Sequence, residues 1–377
     1  MPSSLDLPRK SAPVRDFPSQ VRTFDHVWKI EEDQLTPMRT DDASLGSAAL
    51  NVNKIDRELF DFARDVRDGF SAPLKFIPSR WLYDERGSSL FSQITRLPEY
   101  YPTERELEIF STHASSMAKA LLGSNWKVVE LGAGDGRKTE ILLRSWQRSE
   151  VQFSYVPVDV SPSALEELCK RINTGCPGVR ARPRVGENLS VLRELSDARI
   201  RGEKICVLFM GSSIGNCAWE DVENFLSELR ATLLPGDLAL IGFDLIKDSK
   251  RLIQAYDDSQ GVTRDFNLNL LRRMNRELGA NFDLDQFRHE ASWNPGLSGM
   301  ESWLVSLRDQ MVDIRALNTS FKFRRWEPIR TEISLKFSPE VIDDLACANG
   351  FAPLARYEDR AGDFTDAIWE ATDAFWM

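Results

Sequence analysis

The sequence predicts an α/β chain built on a doubly wound, mostly parallel sheet. Three observations predict it. Between Lys127 and Leu245, apolar runs of strand length alternate with stretches of helical period. The first run ends directly in Gly132–Ala133–Gly134, a turn that lets the backbone reverse tightly and approach a ligand. The second carries Asp159 at its end, where such sheets set an acid against ligand hydroxyls.

The elements follow in order. Asp56–Gly69 has the period of an amphipathic helix, with Leu59, Phe60, Phe62 and Val66 on one side. Thr103 reads as the cap of a second helix, and Glu106 completes a capping box. Lys127–Leu131 is the first strand and Lys138–Arg148 a helix. Tyr155–Val160 is the second strand, and Ser161 caps a helix reaching Ile172. Arg182–Val185 is a weaker third strand. Ile205–Met210 is the fourth, followed by a glycine-rich turn and the helix Glu220–Leu234. Pro235–Gly236 turns the chain into the fifth strand, Leu238–Leu245.

After Asp244 the rhythm breaks. Residues 247–331 begin with helical patterns such as Phe266–Leu278 and continue with strand-like stretches such as Met300–Leu307. This part reads as an α+β insertion. Alternation resumes with Glu332–Phe337, a helix at Pro339–Asn349 and a strand near Phe364–Trp369. The two closing strands are expected to finish the sheet as an antiparallel hairpin. Residues 1–55 mix Pro, Ser and charge without a period and read as a flexible extension. The expected organisation is a core of 56–246 plus 332–377, interrupted by an inserted domain at 247–331.

Bulk properties narrow the function. A chain of 377 residues accommodates two domains. A net charge of -10 argues against nucleic acid and anionic membranes as partners. No apolar run of about eighteen residues suggests a membrane span. Five cysteines without paired spacing read as reduced thiols of a cytoplasmic protein. Three histidines make a multi-histidine metal site unexpected, and no metal is anticipated.

The glycine loop does not complete the Gly-x-Gly-x-x-Gly of dinucleotide sites, and an acid, Glu130, stands immediately before Leu131–Gly132. That arrangement suits S-adenosylmethionine, which carries a sulfonium and an amine rather than a pyrophosphate. The competing reading is that Glu130 and Asp159 only cap neighbouring helices. The third strand runs into Glu187–Asn188, a polar pair suited to an adenine edge.

Longer motifs carry a resemblance. They are Trp81–Leu–Tyr–Asp–Glu–Arg–Gly–Ser–Ser–Leu–Phe91, Ile94–Thr–Arg–Leu–Pro–Glu–Tyr–Tyr–Pro–Thr103, Met210–Gly–Ser–Ser–Ile–Gly–Asn216, Ala255–Tyr–Asp–Asp258, Phe266–Asn–Leu–Asn–Leu–Leu271 and Thr331–Glu–Ile–Ser–Leu–Lys–Phe337. Through them the chain, from about Leu59 to Trp369, resembles the histidine-specific N-alpha-methyltransferases of ergothioneine biosynthesis. Relatives of that family include fungal enzymes acting on tryptophan derivatives. The resemblance implies a Rossmann-like class I methyltransferase core, with a seven-stranded mostly parallel sheet and an inserted α+β substrate-binding domain. It also implies S-adenosylmethionine as cofactor, a small amino acid as substrate and a monomeric enzyme.

The resemblance places Gly132, Lys138, Asp159, Glu187, Asn188 and Gly211 at the cofactor, with Lys138 reaching its carboxylate. Tyr100, Asn216 and Tyr256 match head-group positions, and Tyr83 matches a tyrosine near the substrate amine; Tyr83 and Asn216 are the expected catalytic pair. Phenol and amide groups can donate to a carboxylate without adding charge. Glu332 and Ser334 alternate along a strand and match the imidazole-binding positions.

Two departures stand out. The family has Asp and an aromatic where this chain has Glu187–Asn188, and a methionine lining the ring where this chain has Ser302. The second departure leaves room for tryptophan or another aromatic amino acid as substrate. A third reading, a non-catalytic cofactor- or amino-acid-binding relative, is disfavoured by the intact Tyr83, Tyr100, Asn216 and Tyr256.

Overall fold

Helix α1 (Gly46–Ser71) opens the described part of this computed structural model, which covers residues 46–373, with side chains described from Arg57 onward. The chain divides at Val52 into a short N-terminal unit and a second unit from Asn53. The expected flexible extension lies outside the described residues, apart from 46–55, which belong to α1. Within α1, Phe62, Val66 and Phe70 are buried at four-residue spacing, whereas Leu59 and Phe60 face solvent. The helix therefore turns a different stripe inward than the one expected.

Next come α2 (Glu85–Ile94), capped by the Asp84 carboxylate on the Gly87 amide at 2.7 Å, and α3 (Tyr101–Met117). Helix α3 starts two residues before Thr103, with Pro102 in its first turn, so Thr103 is not the cap. Glu106 is fully buried and serves the site below rather than a capping box.

The core then alternates as β1 (Asn125–Leu131), α4 (Arg137–Arg148), β2 (Gln152–Asp159), α5 (Pro162–Gly175), β3 (Arg184–Val185), α6 (Asn188–Asp197), β4 (Glu203–Phe209), α7 (Trp219–Thr232) and β5 (Leu238–Asp244). These strands are parallel. Strand β3 is only two exposed residues, shorter than expected. Every residue of β5 is buried, as a central strand covered on both faces requires. Side chains alternate across β1: Val129 and Leu131 join one apolar cluster, Trp126 and Val128 the other.

A second layer follows with α8 (Ser249–Tyr256), α9 (Val262–Glu277), β6 (Phe287–Asn294), β7 (Gly299–Ser306), β8 (Gln310–Ile314), β9 (Thr319–Phe323) and β10 (Pro328–Leu335). The chain ends with α10 (Pro339–Ala348), β11 (Phe351–Glu358) and β12 (Phe364–Ala371). The large sheet has the order β11-β12-β5-β4-β1-β2-β3, and a separate antiparallel sheet has the order β10-β7-β6.

This topology corrects the expected closing hairpin. The strand around Glu332 pairs with β7 in the small sheet, and the hairpin on the core sheet is β11 with β12. The expected boundary at 332 therefore cuts through β10, and the chain rejoins the core at Phe337, which bridges to Leu245. The expected split also placed residue 56 onward with the core. Instead Phe62, Val66 and Phe70 pack with Phe266, Phe282, Phe287 and Phe323 of the inserted part. Among the described residues, no helix is long and apolar enough to cross a membrane.

Candidate active site

Strands β1 and β4 are neighbours, but the chain runs outward from β1 through β2 and β3 before returning to β4. At such a switch point the two following loops diverge and leave a crevice beyond the carboxyl ends of the strands. The loop after β1 opens into it. Gly132 and Gly134 have φ of 67° and 56°, which a side chain would strain. No atom outside the loop lies within 4 Å of where a side chain on either would begin, so bare backbone faces open space. Gly136 differs: a Cβ there would sit 2.8 Å from Leu168 of α5, so its missing side chain lets α4 and α5 approach.

Asp159 ends β2 and spans the crevice floor. One oxygen accepts from the Gly134 amide at 3.1 Å and the other from the Ser161 amide at 2.9 Å. Glu187 and Asn188 sit at the start of α6, on the rim of a cleft of about 420 Å³ that Phe209 and Phe225 also line. Gly211 follows β4, with its amide donating to Glu106 at 2.7 Å. Lys138, in the first turn of α4, pairs with the same Glu106. Burial would lower the Lys138 amine, but Glu106 overcomes this and raises it. The expected cofactor residues thus converge on the ends of β1 to β4, with the Lys138 amine held by Glu106 rather than free.

Glu130 is placed otherwise. It is buried in the sheet, accepting from Thr139 Oγ1 at 2.6 Å and from the Tyr155 hydroxyl. Burial pushes its carboxyl up to about 7, against those two hydrogen bonds. It ties β1 to β2 and α4 beneath the loop through two side-chain hydroxyls, a structural role other than the helix cap considered above.

The small sheet and the helices beside it carry the remaining candidate residues. Glu332 and Ser334 lie on one face of β10, and Glu332 is paired in register with Ser302 of β7. Ser302 Oγ donates to Glu332 Oε2 at 3.1 Å. Burial raises the Glu332 carboxyl, while Ser302 and Lys336 pull the other way. The Tyr256 hydroxyl donates to Ser334 Oγ at 2.7 Å, and its ring stands 6.5 Å from that of Tyr100. Tyr83 packs edge-on against Phe91 and Phe266 at 5.4 and 5.5 Å. Burial raises the Tyr83 phenol, and the charges of Glu332 and Tyr256 raise it further, so Tyr83 belongs to the same cluster. Among the described residues, the hydroxyls of Tyr83 and Tyr100 have no protein partner.

Asn216 follows the short turn Ser213–Gly215 after β4, and its carbonyl accepts from Ser79 Oγ at 3.3 Å. A Cβ on Gly215 would lie 2.8 Å from the Leu335 carbonyl, so the turn presses backbone to backbone against β10. That contact carries Asn216 from the core to the strand bearing Glu332 and Ser334.

The polar support behind these residues was not legible in the sequence. Asp244, at the end of β5, accepts from the Tyr101 hydroxyl at 2.8 Å and pairs with Lys247 and with the fully buried Lys336. Burial alone would raise the Asp244 carboxyl; Lys336 and Lys247 hold it below the ordinary range. One signal was available: Lys336 continues the Glu332, Ser334 alternation at the next position on that face.

An open glycine loop at a switch point, an acid at the end of the second strand and a cluster of tyrosines beside Glu332 and Ser334 define an S-adenosylmethionine-dependent class I methyltransferase. Residues 62–371 match the family described as histidine-specific, S-adenosylmethionine-dependent methyltransferases, and the chain belongs to that family. It is 41% identical over 302 residues to the histidine N-alpha-methyltransferase of Mycolicibacterium smegmatis, covering 80% of this chain and 92% of that protein. The histidine N-alpha-methyltransferase of Mycobacterium tuberculosis is 39% identical over 301 residues, with the same coverage of 80% and 92%. Ergothioneine biosynthesis protein 1 of Neurospora crassa is 31% identical over 299 residues, covering 74% of this chain and 32% of that longer protein.

Proposed function

We propose that the protein methylates the α-amine of L-histidine, up to the trimethylated betaine hercynine, as a step toward ergothioneine. The observation that carries this reading is the half-buried Glu332 carboxylate, with Ser334 two residues along the same strand face. A carboxylate and a hydroxyl at that spacing suit the two nitrogens of an imidazole.

Bound S-adenosylmethionine supplies a methyl group on a sulfonium, already activated for in-line displacement. Gly132, Asp159, Glu187, Asn188 and Gly211 would hold it, and the bare backbone of the loop leaves room for it. In this reading Lys138 and Glu106 shape the cofactor's amino-acid end together.

The protein's own task is to orient the acceptor and exclude water. Tyr100, Asn216 and Tyr256 hold the amino-acid head group. Tyr83, its phenol raised above the ordinary value, stays protonated at neutral pH. It therefore orients the amine through a hydrogen bond and does not act as its base. The enclosed site disfavours the ammonium and so leaves the amine lone pair free. Ser302 lies under Glu332 and fixes one of its oxygens, which keeps the carboxylate in the pocket.

The substrate module in this reading comprises α1, α2 and residues 249–335. The enzyme is proposed to be a cytoplasmic monomer with no nucleic-acid partner, in line with its net charge of -10. A methyl-transfer assay over the twenty amino acids, with product masses recorded, tests the proposal. Histidine is expected to be the preferred acceptor. Transfer to tryptophan without transfer to histidine overturns the reading, and cofactor binding without any turnover points to a non-catalytic relative.

A further inference from the structure

Lys336 is buried to the last atom, yet it carries an ammonium with three protons to place. Two of them go to the Tyr256 hydroxyl oxygen at 3.0 Å and to Ser334 Oγ at 2.8 Å, and Asp244 Oδ2 stands 3.1 Å away as the counter-charge. Ser334 Oγ also accepts from the Tyr256 hydroxyl at 2.7 Å. A hydroxyl oxygen has two lone pairs, and both are now used. The Ser334 proton has no acceptor among the described residues. Reversing the Tyr256–Ser334 bond would move the spare proton to Tyr256 without removing it, because Lys336 can only donate. The pair therefore presents one donor to the pocket, two residues along the strand from the acceptor Glu332.

From this geometry we propose that Lys336 is a positioning residue that makes the Ser334–Tyr256 pair an obligate donor toward the substrate ring. The pocket then requires a ring with one N–H, for Glu332, and one unprotonated nitrogen, for the hydroxyl. The inference rests on histidine as substrate and adds which form of the ring is read: the neutral imidazole. An imidazolium turns a second N–H toward a donor backed by a buried ammonium. An indole or pyrrole satisfies Glu332 but leaves the hydroxyl proton buried without a partner. Such an orphaned donor weakens binding by roughly ten- to a hundredfold.

The test compares two ligands of one shape by calorimetry on the full chain with S-adenosylhomocysteine present. They are L-histidine and 3-(pyrrol-3-yl)-L-alanine, whose ring keeps an N–H but has C–H in place of the second nitrogen. The wild type is expected to prefer histidine by at least about tenfold. Lys336→Met and Ser334→Ala are each expected to weaken histidine and bring the two ligands within about threefold of one another. Equal affinity of the wild type for both ligands overturns the proposal. So does a Lys336→Met variant that binds S-adenosylhomocysteine normally but loses both ligands in parallel. If Lys336→Met does not fold, Ser334→Ala decides alone, and an unchanged preference there is fatal to the idea. Absence of any histidine binding to the wild type is a separate result, and it removes the substrate reading itself.

Discussion

Glu332 and Glu130 are both carboxylates raised by burial, and their surroundings assign them different work. Glu332 faces the pocket, with Ser302 on one oxygen and the other available to a ligand. Glu332→Ala is expected to lower kcat/KM for histidine by about 1–3 kcal/mol, the cost of a lost buried hydrogen bond to a charged group. Steady-state kinetics check this, and an unchanged kcat/KM removes Glu332 from ring binding. Glu130 faces the interior, where its carboxyl reaches about 7 from an ordinary 4.5. Its folded pKa lies above the unfolded one, so the folded state holds the proton more tightly. That contribution is complete below the unfolded value and is lost as pH rises through about 7. The loss is on the order of 3 kcal/mol. Thermal melts of Glu130→Gln should therefore show a flatter fall in Tm between about pH 5 and pH 8 than the wild type. Parallel pH profiles for the two proteins would contradict it.

At the scale of elements, the join between the turn after β4 and the end of β10 matters most. Gly215 meets the Leu335 carbonyl closely enough that a methyl group there would lie 2.8 Å away. Backbone cannot retreat as a flexible side chain can, so the turn bearing Asn216 must shift. Gly215→Ala is expected to reduce kcat by about ten- to a hundredfold, since small misplacements of positioning groups are costly. Its affinity for S-adenosylhomocysteine should change much less. Wild-type turnover in this variant would show that Asn216 needs no such placement. The element scale is also where the sequence was hardest to read. Glu332–Phe337 has the apolar alternation of a core strand, and period alone does not say which sheet a strand joins. Likewise Thr103 and Glu106 have the spacing of a capping box, but Pro102 already opens the helix and a distant lysine claims the glutamate. In both cases a long-range partner overrode a correct local pattern.

Across the whole molecule, two halves meet at one crevice. The parallel core was legible because β1, β2 and β5 carry apolar runs that end in glycine or acid at the ligand end. Most candidate pocket residues were also legible, through motifs long enough to carry a resemblance. The buried lysine–aspartate support was not, because Lys336, Asp244 and Tyr101 come together only when β10, β5 and α3 pack. The inserted half borrows its core from the chain's beginning: Phe62 of α1 is fully buried against aromatic residues contributed after position 260. Phe62→Ala is expected to cost about 3–5 kcal/mol in urea unfolding, through the cavity it leaves. A loss below about 1 kcal/mol would mean that α1 does not complete that core.

In the proposed reaction the α-nitrogen of histidine receives the methyl groups. NMR of the product formed from L-histidine and S-adenosylmethionine tests it most directly. A single trimethylammonium resonance correlated with Cα, beside an unmodified imidazole ring, is the expected result. Methyl resonances correlated with the ring carbons, or no methylated histidine at all, would contradict it.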